Sequence, residues 1–179
     1  MVESDGNEAR LWGYGLDENG DYTAVLGGTD GIPGWTGEMG VTSEKTEGDR
    51  CTPAGVFRIL FAFGTGEDAA TGLPYRTVTP GSLWIDDPGS AWYNLWVEED
   101  EIPEPDWSSA ERLSAYEDSY RYAIALDFNS DPVVPGAGSA IFLHCGMQPT
   151  AGCVAVSTED MAAILRWLDA GASPIVVIE

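Results

Sequence analysis

Glycine and proline interrupt this 179-residue chain 22 and 11 times, so short strands joined by turns suit it better than a helical bundle. Residues 11–14 and 22–26 flank Asp17-Glu18-Asn19-Gly20-Asp21 and read as a hairpin, with Asn-Gly as the turn signal. The alternating Asp17, Asn19 and Asp21 do not continue into a calcium loop, because Tyr22 and Gly28 fill the positions that need glycine and a carboxylate. Residues 56–61, 121–128, 140–143 and 153–156, and Ile175–Ile178, carry the apolar runs or alternation of strands. Residues 64–108 read mostly as loop, with an acidic run from Glu98 to Asp106 assigned to solvent. Two helices are expected. One starts at Ser108-x-x-Glu111 and carries Leu113, Tyr116 and Tyr120, and the other runs from Ser157-x-x-Asp160 to Gly171.

Thirty acidic residues against eight basic ones give a net charge of -22. Such a surface repels nucleic acid and anionic membranes, so neither is an expected partner. A salt-rich or cation-rich setting and plain solubility account for it equally well. With 44% hydrophobic residues the chain can bury a core of its own, and no run of about 18 apolar residues provides a membrane span. The opening Met1-Val2-Glu3-Ser4-Asp5 lacks the basic, apolar character of a signal peptide. The expectation is either a cytoplasmic protein or an exported one whose leader has been removed.

The chemistry concentrates near the C-terminus. His144, the only histidine, stands nine residues before Cys153. An imidazole can take a thiol proton near neutral pH, and the thiolate is the nucleophile. The turn Thr150-Ala151-Gly152-Cys153 can present backbone N–H groups to an oxyanion, with the amides of Gly152, Ala151 and Cys153 as hole candidates. The opposing reading is a structural histidine and an inert buried cysteine. There is no Cys-x-x-Cys and no phosphate loop leading into a helix, which disfavours zinc and nucleotide chemistry, so no metal and no cofactor are expected.

Two segments carry a family resemblance. Gly138-Ser139-Ala140-Ile141-Phe142-Leu143-His144, followed by Pro149-Thr150-Ala151-Gly152-Cys153-Val154-Ala155-Val156, resembles the active-site signature of the L,D-transpeptidase (YkuD-like) catalytic domain. Glu47-Gly48-Asp49-Arg50-Cys51-Thr52-Pro53-Ala54-Gly55 resembles the Gly-Asp-x-x-Thr-Pro-x-Gly segment of the same family. The stretches around Trp107–Leu113 and Tyr120–Tyr122 are similar to a branch with a shorter His-to-Cys loop. The resemblance implies a mainly β, sandwich-like domain over residues 10–179, with one or two short helices packed on it and residues 1–9 as a tail.

It also implies a reaction. Cys153 would be the nucleophile and His144 its base, with Thr150 and Gly146 positioning the substrate. The substrate would be a peptidoglycan stem peptide, cut before its terminal D-alanine and passed to an amine to form a 3–3 cross-link. L,D-carboxypeptidase action and a catalytically silent cell-wall peptide-binding domain remain as alternatives. Carbapenem-type compounds would be covalent inhibitors, and the location would be the cell envelope or the exterior. The sequence departs from the family at two points. Ala151 stands where the motif has a histidine before Gly-Cys, and Val154-Ala155-Val156 lacks the arginine or asparagine common after the cysteine.

Cys51 and Cys145 could pair as a disulfide or stand as independent thiols. The seven tryptophans suit core packing better than sugar stacking.

Overall fold

A computed structural model describes residues 1–179. The chain runs β1 (Val2–Asp5), β2 (Glu8–Leu11), β3 (Gly13–Leu16), β4 (Tyr22–Leu26), β5 (Ile32–Trp35), β6 (Val41–Thr42), β7 (Thr52–Pro53) and the long β8 (Gly55–Gly64). It continues through β9 (Tyr75–Thr77), β10 (Ser82–Ile85), β11 (Trp96–Glu98), β12 (Ala110–Arg112), β13 (Ala123–Leu126), β14 (Phe142–Cys145), β15 (Val154–Val156), α1 (Thr158–Trp167) and β16 (Ile175–Ile178).

The main sheet has the order β13-β14-β15-β5-β2-β1-β16-β8-β9, and β13 also pairs with β8, so the hydrogen bonding closes into a ring. The length of β8 makes this possible: residues 55–58 pair with β16, and residues 59–63 pair with β13. Residues 1–9 are therefore not a tail. They supply β1 and the start of β2, and Val2 pairs with Ile178 at the far end of the chain. Val2, Ala9 and Leu11 are buried while their charged neighbours stay at the surface, the expected outcome of period-2 alternation.

Alternation also builds two cores. Leu143, Cys145, Val154 and Val156 point into the larger one, with Met161, Ile164 and Leu165 of α1. Phe142 points the other way, with Phe61, Phe63, Trp84 and Tyr120, into an aromatic cluster. There Phe63 meets Phe142 at 5.1 Å and Trp84 meets Phe142 at 4.9 Å, both edge-on, the arrangement the ring quadrupoles favour. The strands β10, β11 and β12 form the small sheet that contributes Trp84 and Trp96 to this cluster.

The helix α1 begins as its sequence indicates. Ser157 Oγ accepts the Asp160 N–H at 3.1 Å, and Glu159 and Asp160 sit in the first turn, where the helix dipole favours negative charge. It ends at Trp167, before Gly171. The second expected helix does not form. Ala110–Arg112 is strand, Leu113–Ala115 is a single 3-10 turn, and Ser108 and Ser109 donate to Asp87 and Asp86 and not to a helix terminus. The region 64–108, read as loop, contains β9, β10 and β11, and the acidic run begins inside β11 with Glu98. Asp17 closes the β3–β4 turn through Oδ1, which accepts the Asn19 and Asp21 amides at 2.8 and 3.0 Å.

Candidate active site

The sheet brings His144 and Cys153 to one face. The strands β14 and β15 run parallel with Leu143 opposite Val154, so Cys153 lies beside Phe142. The Phe142 N–H reaches the Cys153 sulfur at 3.4 Å. His144, two residues beyond Phe142, shares its face of the strand, and its ring stands edge-on to Tyr120 at 5.5 Å. Both residues line a cleft of about 540 Å³, within the usual range for small-molecule sites. Thr150, Ala151, Gly152 and Gly146 line the same cleft.

His144 Nδ1 lies 2.8 Å from the Cys145 carbonyl. A carbonyl only accepts, so Nδ1 carries the proton and Nε2 is left with a free lone pair. Burial lowers the His144 pKa, and the bond to Cys145 only partly opposes this, so the ring rests neutral. The Cys153 thiol is pushed up to about 12, first by burial and then by the charge of Glu111; the Phe142 amide and Lys45 act in the opposite direction. It donates to the Ala140 carbonyl at 3.2 Å, and no hydrogen bond joins it to His144. The resting pair is a neutral thiol and a neutral imidazole.

Two hydroxyls hold the Cys153 peptide. The Thr150 Oγ1–H donates to its carbonyl at 2.6 Å and the Thr52 Oγ1–H at 3.1 Å. Thr52 also accepts the Gly37 N–H at 2.7 Å, in a fully buried position. The Thr-Pro segment is thus attached directly to the backbone of the nucleophile candidate, which gives a physical reason for the two segments to occur together. Thr150, expected to position substrate, has its hydroxyl committed to this turn.

The same contacts correct the oxyanion-hole reading. Gly152 N–H is taken by Thr150 Oγ1 at 3.1 Å, whereas the Ala151 and Cys153 amides donate to no protein group. Gly152 matters for its backbone instead. Its φ of +151° is one that side-chain-bearing residues rarely adopt, and a Cβ would meet the Cys51 carbonyl at 3.0 Å, close enough that the backbone would have to give.

Three cleft residues went unrecognised in the sequence. Lys45, with its side chain 6% exposed, pairs with Asp49 at 2.6 Å, and Asp49 also accepts the Thr46 and Cys51 amides. Burial opposes the Asp49 charge, but Lys45 and these two amides outweigh it and hold the carboxyl below its usual range. Glu111 accepts the Tyr120 hydroxyl. Burial raises the pKa of both, and the nearby Glu111 charge raises that of Tyr120 further. Behind the cleft, buried Asn94 accepts Trp84 Nε1–H at 2.9 Å and Ala140 N–H at 3.1 Å, fixing the segment whose carbonyl holds the thiol.

The disulfide does not form. Cys145 faces the core beneath α1, Cys51 lies near the Met39 and Asp49 carbonyls, and all three cysteines are free. Of the tryptophans, Trp84 is core. The cleft holds no cluster of His, Cys, Asp and Glu suited to a metal ion.

A mainly β domain with a lone histidine on one strand and a cysteine at the start of the neighbouring parallel strand, both lining one cleft, fits a recognisable class of catalytic domain. The family model of the L,D-transpeptidase catalytic domain (YkuD) matches residues 7–178, and the chain belongs to that family. Comparison with curated proteins and with solved structures gave no match.

Proposed function

We propose that this protein is a peptidoglycan L,D-transpeptidase that works through a thioester on Cys153. The observation that carries the reading is the placement of His144 and Cys153 on one face of parallel strands, with Nε2 of His144 unprotonated. A stem peptide entering the cleft would draw the thiol away from the Ala140 carbonyl toward the imidazole. His144 takes the thiol proton as Cys153 sulfur attacks the carbonyl carbon before the terminal D-alanine. The oxyanion forms against the Ala151 and Cys153 amides. The C–N bond then breaks, His144 gives its proton to the departing amine nitrogen, and D-alanine leaves behind a thioester. An amine from a second stem resolves it.

The neutral resting pair suits an enzyme that makes its thiolate only with substrate in place. Thr52 and Thr150, which hold the Cys153 carbonyl, would keep the two amides aimed at the developing charge. Incubation with a stem tetrapeptide ending in D-alanine tests the proposal. D-Alanine release with a cross-linked dimer supports it. Release with tripeptide alone supports the L,D-carboxypeptidase reading, and binding without release supports the silent peptide-binding domain. Export to the cell envelope is part of the same proposal, since the substrate lies there, and a carbapenem-type compound would acylate Cys153.

A further inference from the structure

An ammonium group that attacks a thioester has two protons to lose, one before attack and one after. His144 is the only imidazole in the chain, and it accounts for one of them. A second acceptor beside the same thiol lets an amine that arrives protonated be used, a need that hydrolysis does not share.

Glu111 is the group in that position. It lines the same cleft as His144 and Cys153, and its charge acts directly on the Cys153 thiol. The strand β12 places it opposite Trp84 of β10, which seats it on the aromatic cluster. Its Oε1 is tied to the Tyr120 hydroxyl, and the Tyr120 ring stands against His144. Carboxylate and phenol are thus hydrogen-bonded to each other, the phenol ring packs against the imidazole, and all three line the cleft of the sulfur. Asp86, just after β10, adds negative charge to the surroundings of Glu111, while Lys45 is engaged by Asp49. Arg50, the other cation of the cleft, is paired with Glu38, so both cations are engaged and Glu111 with Asp86 leaves the site a pull on a further cation.

We infer that Glu111 is the residue that receives the acceptor amine and removes its first proton, with Tyr120 holding the carboxylate in place. The inference rests on the acyl-transfer reading of Cys153 and His144. The carboxylate of Glu111 takes one proton from the ammonium and leaves a free amine. The amine nitrogen attacks the thioester carbonyl carbon, the new C–N bond forms, and His144 takes the second proton from that nitrogen. The C–S bond then breaks, and the Cys153 thiolate recovers its proton from His144. Glu111 releases the proton it holds to solvent through the open cleft, and the site is restored. Burial, which raises the Glu111 pKa, makes it a better proton acceptor than an exposed carboxylate.

The experiment compares wild type with Glu111→Gln, using a stem tetrapeptide as both donor and acceptor in one arm. In the other arm hydroxylamine, an amine already unprotonated at neutral pH, is the acceptor. Glutamine keeps an oxygen for the Tyr120 hydroxyl, and hydroxamate formation itself reports that the variant is folded. The expected result is a fall of about 100-fold or more in the ratio of dimer to hydroxamate, the usual scale of a general base, the ratio cancelling any change in Cys153 acylation that loss of the Glu111 charge brings. Raising the pH should recover dimer formation in the variant. Equal dimer yields in the two proteins, or parallel loss in both arms, would overturn the role of Glu111 while leaving the thioester reading intact. Wild-type protein that forms neither product would instead remove the reading on which the inference rests.

Discussion

Thr52→Val is the substitution whose consequence the structure determines most fully. Valine matches threonine in shape, so the buried position stays filled and only the hydroxyl is removed. The Gly37 N–H loses its 2.7 Å acceptor inside the protein, and an unsatisfied buried donor costs about 1–3 kcal/mol. The Cys153 carbonyl loses a 3.1 Å bond but keeps the one from Thr150 at 2.6 Å, a further net loss of about 1 kcal/mol. Together these give a destabilisation of about 2–4 kcal/mol. For a domain of this size each kcal/mol lowers Tm by about 2–4 °C, so a fall of about 4–16 °C is expected in thermal unfolding followed by circular dichroism. Thr150→Val alone should cost less, because its turn is only partly buried. The double variant should lose at least about 0.5 kcal/mol more than the sum of the two, since the Cys153 carbonyl then has no hydroxyl left; groups that share a partner couple on that scale. Additive losses, or a Tm shift below about 1 °C for Thr52→Val, would refute the shared-anchor account.

Three further outcomes follow from the same geometry. Gly152→Ala should depress acylation of Cys153 more than it lowers Tm, because the strained φ and the Cys51 carbonyl lie at the nucleophile itself; unchanged acylation kinetics would contradict this. Alkylation of Cys153 by iodoacetamide should climb about tenfold per pH unit through the alkaline range, as the thiolate fraction does below its pKa, because that thiol is pushed up to about 12. A plateau below pH 8 would mean that a thiolate–imidazolium pair already exists at rest. Ser157→Ala removes the acceptor for the Asp160 amide and should cost about 1 kcal/mol in denaturant unfolding, with no change in acylation rate.

Local signals were readable wherever one segment decided its own structure. The β16 range, the Ser157 cap and the Met161, Ile164, Leu165 face of α1 all follow from short-range pattern. The Ser108-x-x-Glu111 pattern misled because the same residue types had other partners: both serines bond to aspartates at the end of β10, and Glu111 is drawn into the cleft. Leu113 and Tyr120 recur at helical spacing only because a 3-10 turn and a following turn bring both into the aromatic cluster. Residues 2–5 gave too short an alternation to be recognised, and their pairing with β16 depends on contacts across the whole chain.

The site divides along the same line. His144 and Cys153 are near in sequence and could be paired from spacing and motif. Lys45, Glu111 and Tyr120 reach the cleft only through the sheet, and no spacing in the sequence connects them to the cysteine. Thr150 was expected to position substrate from the resemblance alone, and only the backbone shows its hydroxyl bonded to the Cys153 carbonyl and the Gly152 N–H.

The central claim is that Cys153 forms the acyl-enzyme with His144 as its base. Intact-mass spectrometry after exposure to a carbapenem-type acylating probe tests it directly. One adduct per chain is expected in wild type, none in Cys153→Ala, and a greatly slowed adduct in His144→Ala. An adduct that persists in Cys153→Ala, or one that forms at full rate without His144, would contradict the account.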